Sequence, residues 1–350
     1  MTPVFFITGL QRSGTTLLSF MLSNHPAVFM DEYSLGFRIM QALNGNYRKV
    51  LPHYLDLSEK EIISRLVEHD YKGRLRQLID LSLLKEGVST QELINQSIQQ
   101  KLKLEGRSVW GNKSPGLQHW LPQLLLLVPH TKLIHIVRDG RATAASMHKR
   151  ARKNLEWSAQ RWVDGNLTAL HHQFILGEDK MLVLRYEDLL SEPESSIKRV
   201  CLFLGLEYDP VMLDLSQHQR TGGDQSYVQD KISSSKIDSY RKALTAEQMR
   251  KLERIQGPLL QKLGYSLYHD HQPGDFRPLS TGRQIFLNQW TNFKALFRRH
   301  DIRMEDWQLV EVAVPFHKRL GYFLRMLARD LLSKPVFQAL FDRKSKKLPG

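Results

Sequence analysis

The chain has 350 residues, of which 41% are apolar and 25% charged, with a formal charge of +14 and a single cysteine, Cys201. That composition excludes general disorder, a disulfide framework and a cysteine-built zinc site. Apolar runs such as Leu124 to Val128 fall far short of the ~20 residues that span a bilayer. No basic residue precedes the apolar start at Val4, which runs straight into Gly9 and Arg12, so a cytoplasmic protein is expected.

Val4 to Thr8 is a continuous apolar, β-branched run of the kind buried in parallel sheets. Gly9 to Gly14 reads as a turn and Thr15 to Ser23 as a helix with Leu17, Leu18, Met21 and Leu22 on its apolar side. Residues 56–100 read as a polar helical insertion. Leu133 to Val137 and Met181 to Arg185 repeat the short strand pattern, and Trp157 to Leu176 between them reads as a helix. Pro193 to Leu204 is an amphipathic helix closed by Gly205, and Thr245 to Leu263 opens on a capping box, Thr245 with Gln248, and ends at Gly264. Strands alternating with helices predict an α/β domain with a parallel sheet covered on both faces. Residues 269–282 read as a linker, and 283–350 as a basic extension of amphipathic helices. In that extension Phe286, Trp290, Phe293 and Phe297 share one helix face. Residues 271–350 hold 15 Lys or Arg against 7 Asp or Glu, +8 of the total +14, so the basicity belongs mostly to the tail.

Gly9-Leu10-Gln11-Arg12-Ser13-Gly14-Thr15-Thr16 has phosphate-loop spacing, in which backbone N–H groups and a helix N-terminus converge on an anion. Thr15 stands where a nucleoside triphosphatase has its lysine, and the loop's cation is Arg12. Leu133 to Val137 runs into Arg138 before Asp139, so no clean strand-end aspartate is in place for magnesium. A second constellation follows that strand: Arg138 at its end, then Ser146 eight residues on and Arg150 twelve, both on the ensuing helix. Together they read as a second anion site or, taken alone, as the solvated face of a basic helix.

The ordered set of motifs resembles the sulfotransferases that use 3′-phosphoadenosine 5′-phosphosulfate (PAPS), especially the tyrosylprotein sulfotransferase-like branch. The similarity rests on Gln11-Arg12-Ser13-Gly14-Thr15-Thr16-Leu17, His25-Pro26, Asn112-Lys113-Ser114-Pro115, Arg138-Asp139-Gly140-Arg141-Ala142 with Ser146, Tyr186-Glu187-Asp188-Leu189 with Pro193, and Leu263-Gly264-Tyr265. The resemblance covers residues 3–268. It implies a P-loop-type three-layer fold with a central five-stranded parallel sheet, the extension 283–350 lying outside it. It also implies PAPS as sulfuryl donor, and in-line transfer to a hydroxyl of a peptide tyrosine, a carbohydrate or a lipid-linked glycan.

The resemblance assigns Arg12 and Lys113 to catalysis, with Glu32 as the base and Ser226 as a further catalytic group. Aligned without gaps from Arg12, the family's glutamate falls on Tyr33, which keeps Asp31, or another group than either, open as the base beside Glu32. It assigns Arg12, Ser13, Gly14, Thr15, Thr16, Arg138, Ser146, Arg150, Tyr186 and Lys231 to the cofactor. Trp157, Trp162 and Tyr240 read as core or as lining of an acceptor cleft. The fourteen histidines are scattered without His-Glu-x-x-His spacing, and no metal is expected. No nucleic-acid partner is expected. A homodimer, or contact of the basic tail with the inner face of a membrane, is compatible with the sequence. Two rivals stand beside this reading: a P-loop kinase of a small molecule, and an inactive nucleotide-binding partner protein.

Overall fold

The computed structural model describes residues 3–31, 89–216, 237–297, 300–305 and 308–313, with a few helical positions between 316 and 327. Among these are five parallel strands: β1 (Val4–Gly9), β2 (Val28–Asp31), β3 (Val109–Lys113), β4 (Lys132–Val137) and β5 (Met181–Arg185), in spatial order β2-β3-β1-β4-β5. The chain forms two compact units, Met1–Thr143 with Trp162–Ala243, and Ala144–Arg161 with Leu244–Gly350.

The first unit follows from the period of two in its strands. Val4, Phe6, Trp110, Leu133 and Met181 point to one face of the sheet. There they meet Leu93, Ile94, Ile98 and Leu102 of α2 (Thr90–Glu105) and Leu121, Leu124 and Leu127 of α3 (Leu121–Leu127). Phe5, Ile7, Val109, Ile134, Ile136, Leu182 and Leu184 point to the other face. That face is covered by α1 (Thr15–Ser23), α6 (Tyr186–Ser191) and α7 (Pro193–Leu204). Both faces are buried, which is why these strands read as unbroken apolar runs. Between β4 and β5 lie α4 (Gly140–Ala151) and α5 (Leu155–Leu176).

β2 and β3 were not among the expected strands, and each has a physical reason for hiding. β2 is four residues long, and β3, Val-Trp-Gly-Asn-Lys, carries a glycine and two polar residues. The glycine is required: a Cβ at Gly111 would lie 2.3 Å from Phe5 Cζ and 2.5 Å from Met30 Sδ, side chains of the flanking strands. Parallel pairing puts Asp31 opposite Asn112 and Ile7 opposite Lys113. Asp31 therefore ends a strand and is buried, rather than lying in a solvated loop.

The second unit contains α9 (Ala246–Lys262) and α10 (Thr281–Leu296); α8 (Ser239–Ala243) closes the first. The expected capping box at α9 is present, with the Gln248 N–H donating to Thr245 Oγ1 and the Thr245 N–H to Gln248 Oε1. Pro258 inside α9 removes the N–H that Arg254 O would accept, and the Arg277 N–H takes its place at 2.8 Å. The extension is not helical throughout. After α10, strands β6 (His300–Glu305) and β7 (Gln308–Ala313) form an antiparallel hairpin, where Ile302, Val310 and Val312 favour extended backbone.

Candidate active site

Every predicted site residue described in the first unit lies at or just beyond the carboxyl end of a strand, where open parallel sheets bind ligands. The loop after β1 turns on two glycines that tolerate no side chain. At Gly9 (φ +152°) a Cβ would stand 2.5 Å from Ile136 O, and at Gly14 (φ +103°) it would stand 2.2 Å from Tyr186 Cδ2. Arg12 adopts a left-handed backbone (φ 76°), rare for a residue with a Cβ and a form of strain concentrated at functional sites. Ser13 is buried and turned back into the loop, with Oγ donating to Leu10 O at 2.7 Å. Gly14 caps α1 without a side chain, so the N-terminal turn at Thr15 and Thr16 offers its N–H groups to an anion outside the helix.

Arg138 leaves β4 and reaches the loop. Its Nη1 donates to Arg12 O at 3.3 Å, and its guanidinium stacks 4.6 Å from the centre of the Tyr186 ring. The side chain is 8% exposed, and its Nε is buried with no hydrogen-bond partner among the described residues. A buried, charged donor in that condition is costly unless a ligand completes it. At the end of β3, Lys113 is also buried, with Nζ 3.4 Å from Thr16 Oγ1. Asn112 donates to Asp31 O and accepts from Ser114 Oγ, tying the ends of β2 and β3 together. The loop, Arg12, Arg138, Tyr186, Lys113 and Thr16 thus form one basic, partly enclosed cluster.

Ser146 and Arg150 lie one turn apart on α4, both half-buried, as their spacing predicts; they belong to the second unit. Glu32, Tyr33, Ser226 and Lys231 lie outside the described residues. Tyr240 and Trp162, read as core or as cleft lining, are buried, and each bonds to the segment at the end of β4. Trp162 Nε1 donates to Arg138 O at 2.8 Å, fixing the carbonyl beside the arginine's side chain. Tyr240 Oη donates to Asp139 Oδ2 at 3.0 Å, and burial together with that carboxylate pushes its phenol well above the usual range. Trp157 is half-buried in the second unit, its ring flanked by Lys153 and Arg161.

The positioning residues were the part sequence reasoning missed. Asp139 accepts the Arg141 N–H at 2.8 Å at the start of α4 and pairs with the Arg141 guanidinium at 2.7 Å, both side chains buried. Glu187 Oε1 accepts the Asp139 N–H at 2.9 Å. The segment after Arg138 is thereby held by three buried side chains, so Arg138 leaves a rigid mount. The signal was present in Arg138-Asp139-Gly140-Arg141-Ala142 and in Tyr186-Glu187, whose flanking residues went without roles.

Residues 3–210 match the model of the sulfotransferase family. Protein-tyrosine sulfotransferase 1 of Danio rerio is 26% identical over 299 residues, 79% of this chain and 76% of the relative. Protein-tyrosine sulfotransferase 2 of Gallus gallus is 24% identical over 284 residues, 76% and 70% of the two chains. Among solved structures, the sulfotransferase domain from the curacin biosynthetic pathway matches with a TM-score of 0.51 at 19% identity. That match covers 76% of this chain and 99% of that domain, a likeness of fold.

Proposed function

Because the chain belongs to the sulfotransferase family and so is an enzyme of sulfuryl transfer, we propose that its donor is PAPS and its acceptor the hydroxyl of a peptide tyrosine. The observation that carries the donor is Arg138: a buried guanidinium stacked on Tyr186, bonded to the loop through one nitrogen, with an Nε unmatched among the described residues. Such a group fits a phosphate, and the side-chain-free glycine positions of the loop fit close approach of a second one. Gly14, Thr15 and Thr16 would hold the 5′-phosphate through backbone N–H groups, with Ser13 buttressing the turn. Arg138 would hold the 3′-phosphate, and Ser146, Arg150 and Lys231 are proposed, from the family resemblance alone, to add to the cofactor grip.

PAPS supplies a sulfuryl group on an activated phosphate. In the transfer, the acceptor oxygen forms a bond to sulfur as the sulfur–oxygen bond to the phosphate breaks, and the hydroxyl proton passes to a base. Arg12 and Lys113 are the cations suited to charge developing on the departing phosphate oxygen. Glu32, which follows β2, is the proposed base, with Asp31 as its neighbour on the strand; Ser226 is the further catalytic group. Peptide tyrosine is favoured by the relatives named above, while carbohydrate and lipid-linked glycan hydroxyls are the other acceptor classes. The exposed aromatic face of α10, Phe286, Trp290, Phe293 and Phe297, with Arg283 and Lys294 against its rings, supports peripheral contact with the inner face of an anionic membrane.

The test is transfer of labelled sulfate from PAPS in EDTA to a tyrosine peptide, a glycan and a glycolipid side by side. Label on the peptide, reduced at least ~100-fold by Glu32→Gln, supports the reading. Label on a glycan alone replaces the acceptor, and full activity in Glu32→Gln removes the base.

A further inference from the structure

The second unit brings together three side chains that no sequence spacing announced. Glu253, in the middle of α9, is fully buried. His269 and His271 follow some sixteen and eighteen residues later on the segment that runs back over the helix. His269 Nδ1 lies 2.8 Å and His271 Nε2 lies 3.2 Å from the same carboxylate oxygen, Oε2. The three ligand atoms all fall within 4.8 Å of one another.

We propose that Glu253, His269 and His271 form a structural site for a zinc-class divalent cation. Two imidazole nitrogens and one carboxylate oxygen are a donor set that suits zinc and its neighbours rather than calcium or magnesium. Metal–ligand bonds of ~2.0–2.2 Å in a tetrahedral centre hold their ligand atoms roughly 3.3 Å apart. The two nitrogen-to-oxygen separations are near that value and all three ligand atoms lie within 4.8 Å of one another, so the cation would need only a local adjustment of the ligands.

The surroundings hold the ligands in place, as the outer shell of a metal site does. The Tyr268 N–H donates to Glu253 Oε1 at 2.7 Å and the His269 N–H to Oε2 at 3.2 Å. The His271 ring lies 5.6 Å from Phe276, and Phe276 packs so closely on α9 that a Cβ at Gly257 would stand 2.2 Å from its ring. Beyond it the Arg277 N–H holds Arg254 O, as above. His271 has 3% of its side chain exposed and His269 20%, so solvent reaches the cluster on the His269 side, where a water would complete four ligands. A metal-bound imidazole gives one ring nitrogen to the cation and keeps its N–H on the other, so the cation would stand in place of the two contacts with Oε2. Its effect would be to pin residues 268–277 to α9. This inference does not rest on the sulfotransferase reading.

The experiment uses the full chain, free of any histidine tag and stripped with EDTA, titrated with zinc and separately with cobalt. The expected result is one equivalent of zinc per chain, a rise in Tm on binding, and visible ligand-field absorption from the cobalt form. His271→Gln and His269→Gln keep an N–H for the carboxylate but are poor zinc ligands, so each should remain folded by circular dichroism and lose the equivalent. If either fails to fold, the wild-type stoichiometry and cobalt spectrum decide. Absence of stoichiometric binding in the wild type, or binding undiminished in a folded glutamine variant, would overturn the site and leave a hydrogen-bonded clamp.

Discussion

Gly14 meets two demands at one position: a backbone at φ +103° and a Tyr186 ring edge 2.2 Å from where a Cβ would stand. Alanine satisfies neither. Gly14→Ala is expected to cost about 1–3 kcal/mol in stability through the backbone alone. It should also weaken binding of 3′-phosphoadenosine 5′-phosphate at least tenfold, because the loop and the Tyr186–Arg138 stack must both shift; urea denaturation and calorimetry measure the two effects. Wild-type affinity in the variant would mean the loop does not touch the nucleotide. The Asp139–Arg141 pair is a second residue-scale case. Its side chains are 7% and 2% exposed and joined at 2.7 Å. Arg141→Met would strand the buried carboxylate, with Tyr240 as its remaining side-chain donor among the described residues, and is expected to cost about 3–5 kcal/mol. A loss below about 1 kcal/mol in urea denaturation would assign the pair no role in holding Arg138's mount.

At the scale of elements, β4 carries a buried charge-capable group through the middle of the sheet. His135 is 1% exposed and bonded to Asn166 at 2.8 Å, and burial lowers its pKa from 6.5 to about 4. The neutral ring is the folded form. Between those values the unfolded chain binds the extra proton and the folded chain does not. Stability contributed by this group is therefore complete above about pH 7 and is lost as pH falls towards 4, by about 3 kcal/mol in all. Denaturation midpoints followed from neutral to acid pH should show that slope, and His135→Gln should flatten it; an unchanged slope would assign the loss to other groups.

The same scale explains what could be read in advance. β1, β4 and β5 announced themselves because both faces are buried and every residue can be apolar. β2 and β3 did not, since β2 is short and β3 needs Gly111 between Phe5 and Met30 and ends in the residues that face the site. The loop and Arg138 were legible because glycines, a helix N-terminus and a guanidinium at fixed offsets make an anion-site pattern, and Tyr186 only through the family resemblance. Asp139, Arg141 and Glu187 act only through contacts made across the fold, and Glu253 with His269 and His271 depends on a chain reversal that no local spacing records.

For the whole molecule, +14 charges on 350 residues create a field that favours anionic ligands. Exposed charges are screened over a Debye length of ~10 Å at ~0.1 M salt, whereas the buried Arg138 contact is not. Affinity for 3′-phosphoadenosine 5′-phosphate should therefore fall with added salt, mainly through a slower on-rate, and stopped-flow binding over a salt series would measure it. A salt-independent on-rate would remove long-range charge from the account. Among the described residues no helix is long and apolar enough to cross a membrane.

The most direct measurement is calorimetric titration of the chain with 3′-phosphoadenosine 5′-phosphate in EDTA, beside Arg138→Ala and Arg138→Lys variants checked for folding by circular dichroism. The account predicts tight binding without magnesium, lost in the alanine variant and weakened in the lysine variant, which keeps the charge but not the stacked guanidinium. No binding by the wild type, binding only of ATP with magnesium, or equal binding by a folded Arg138→Ala variant would contradict it.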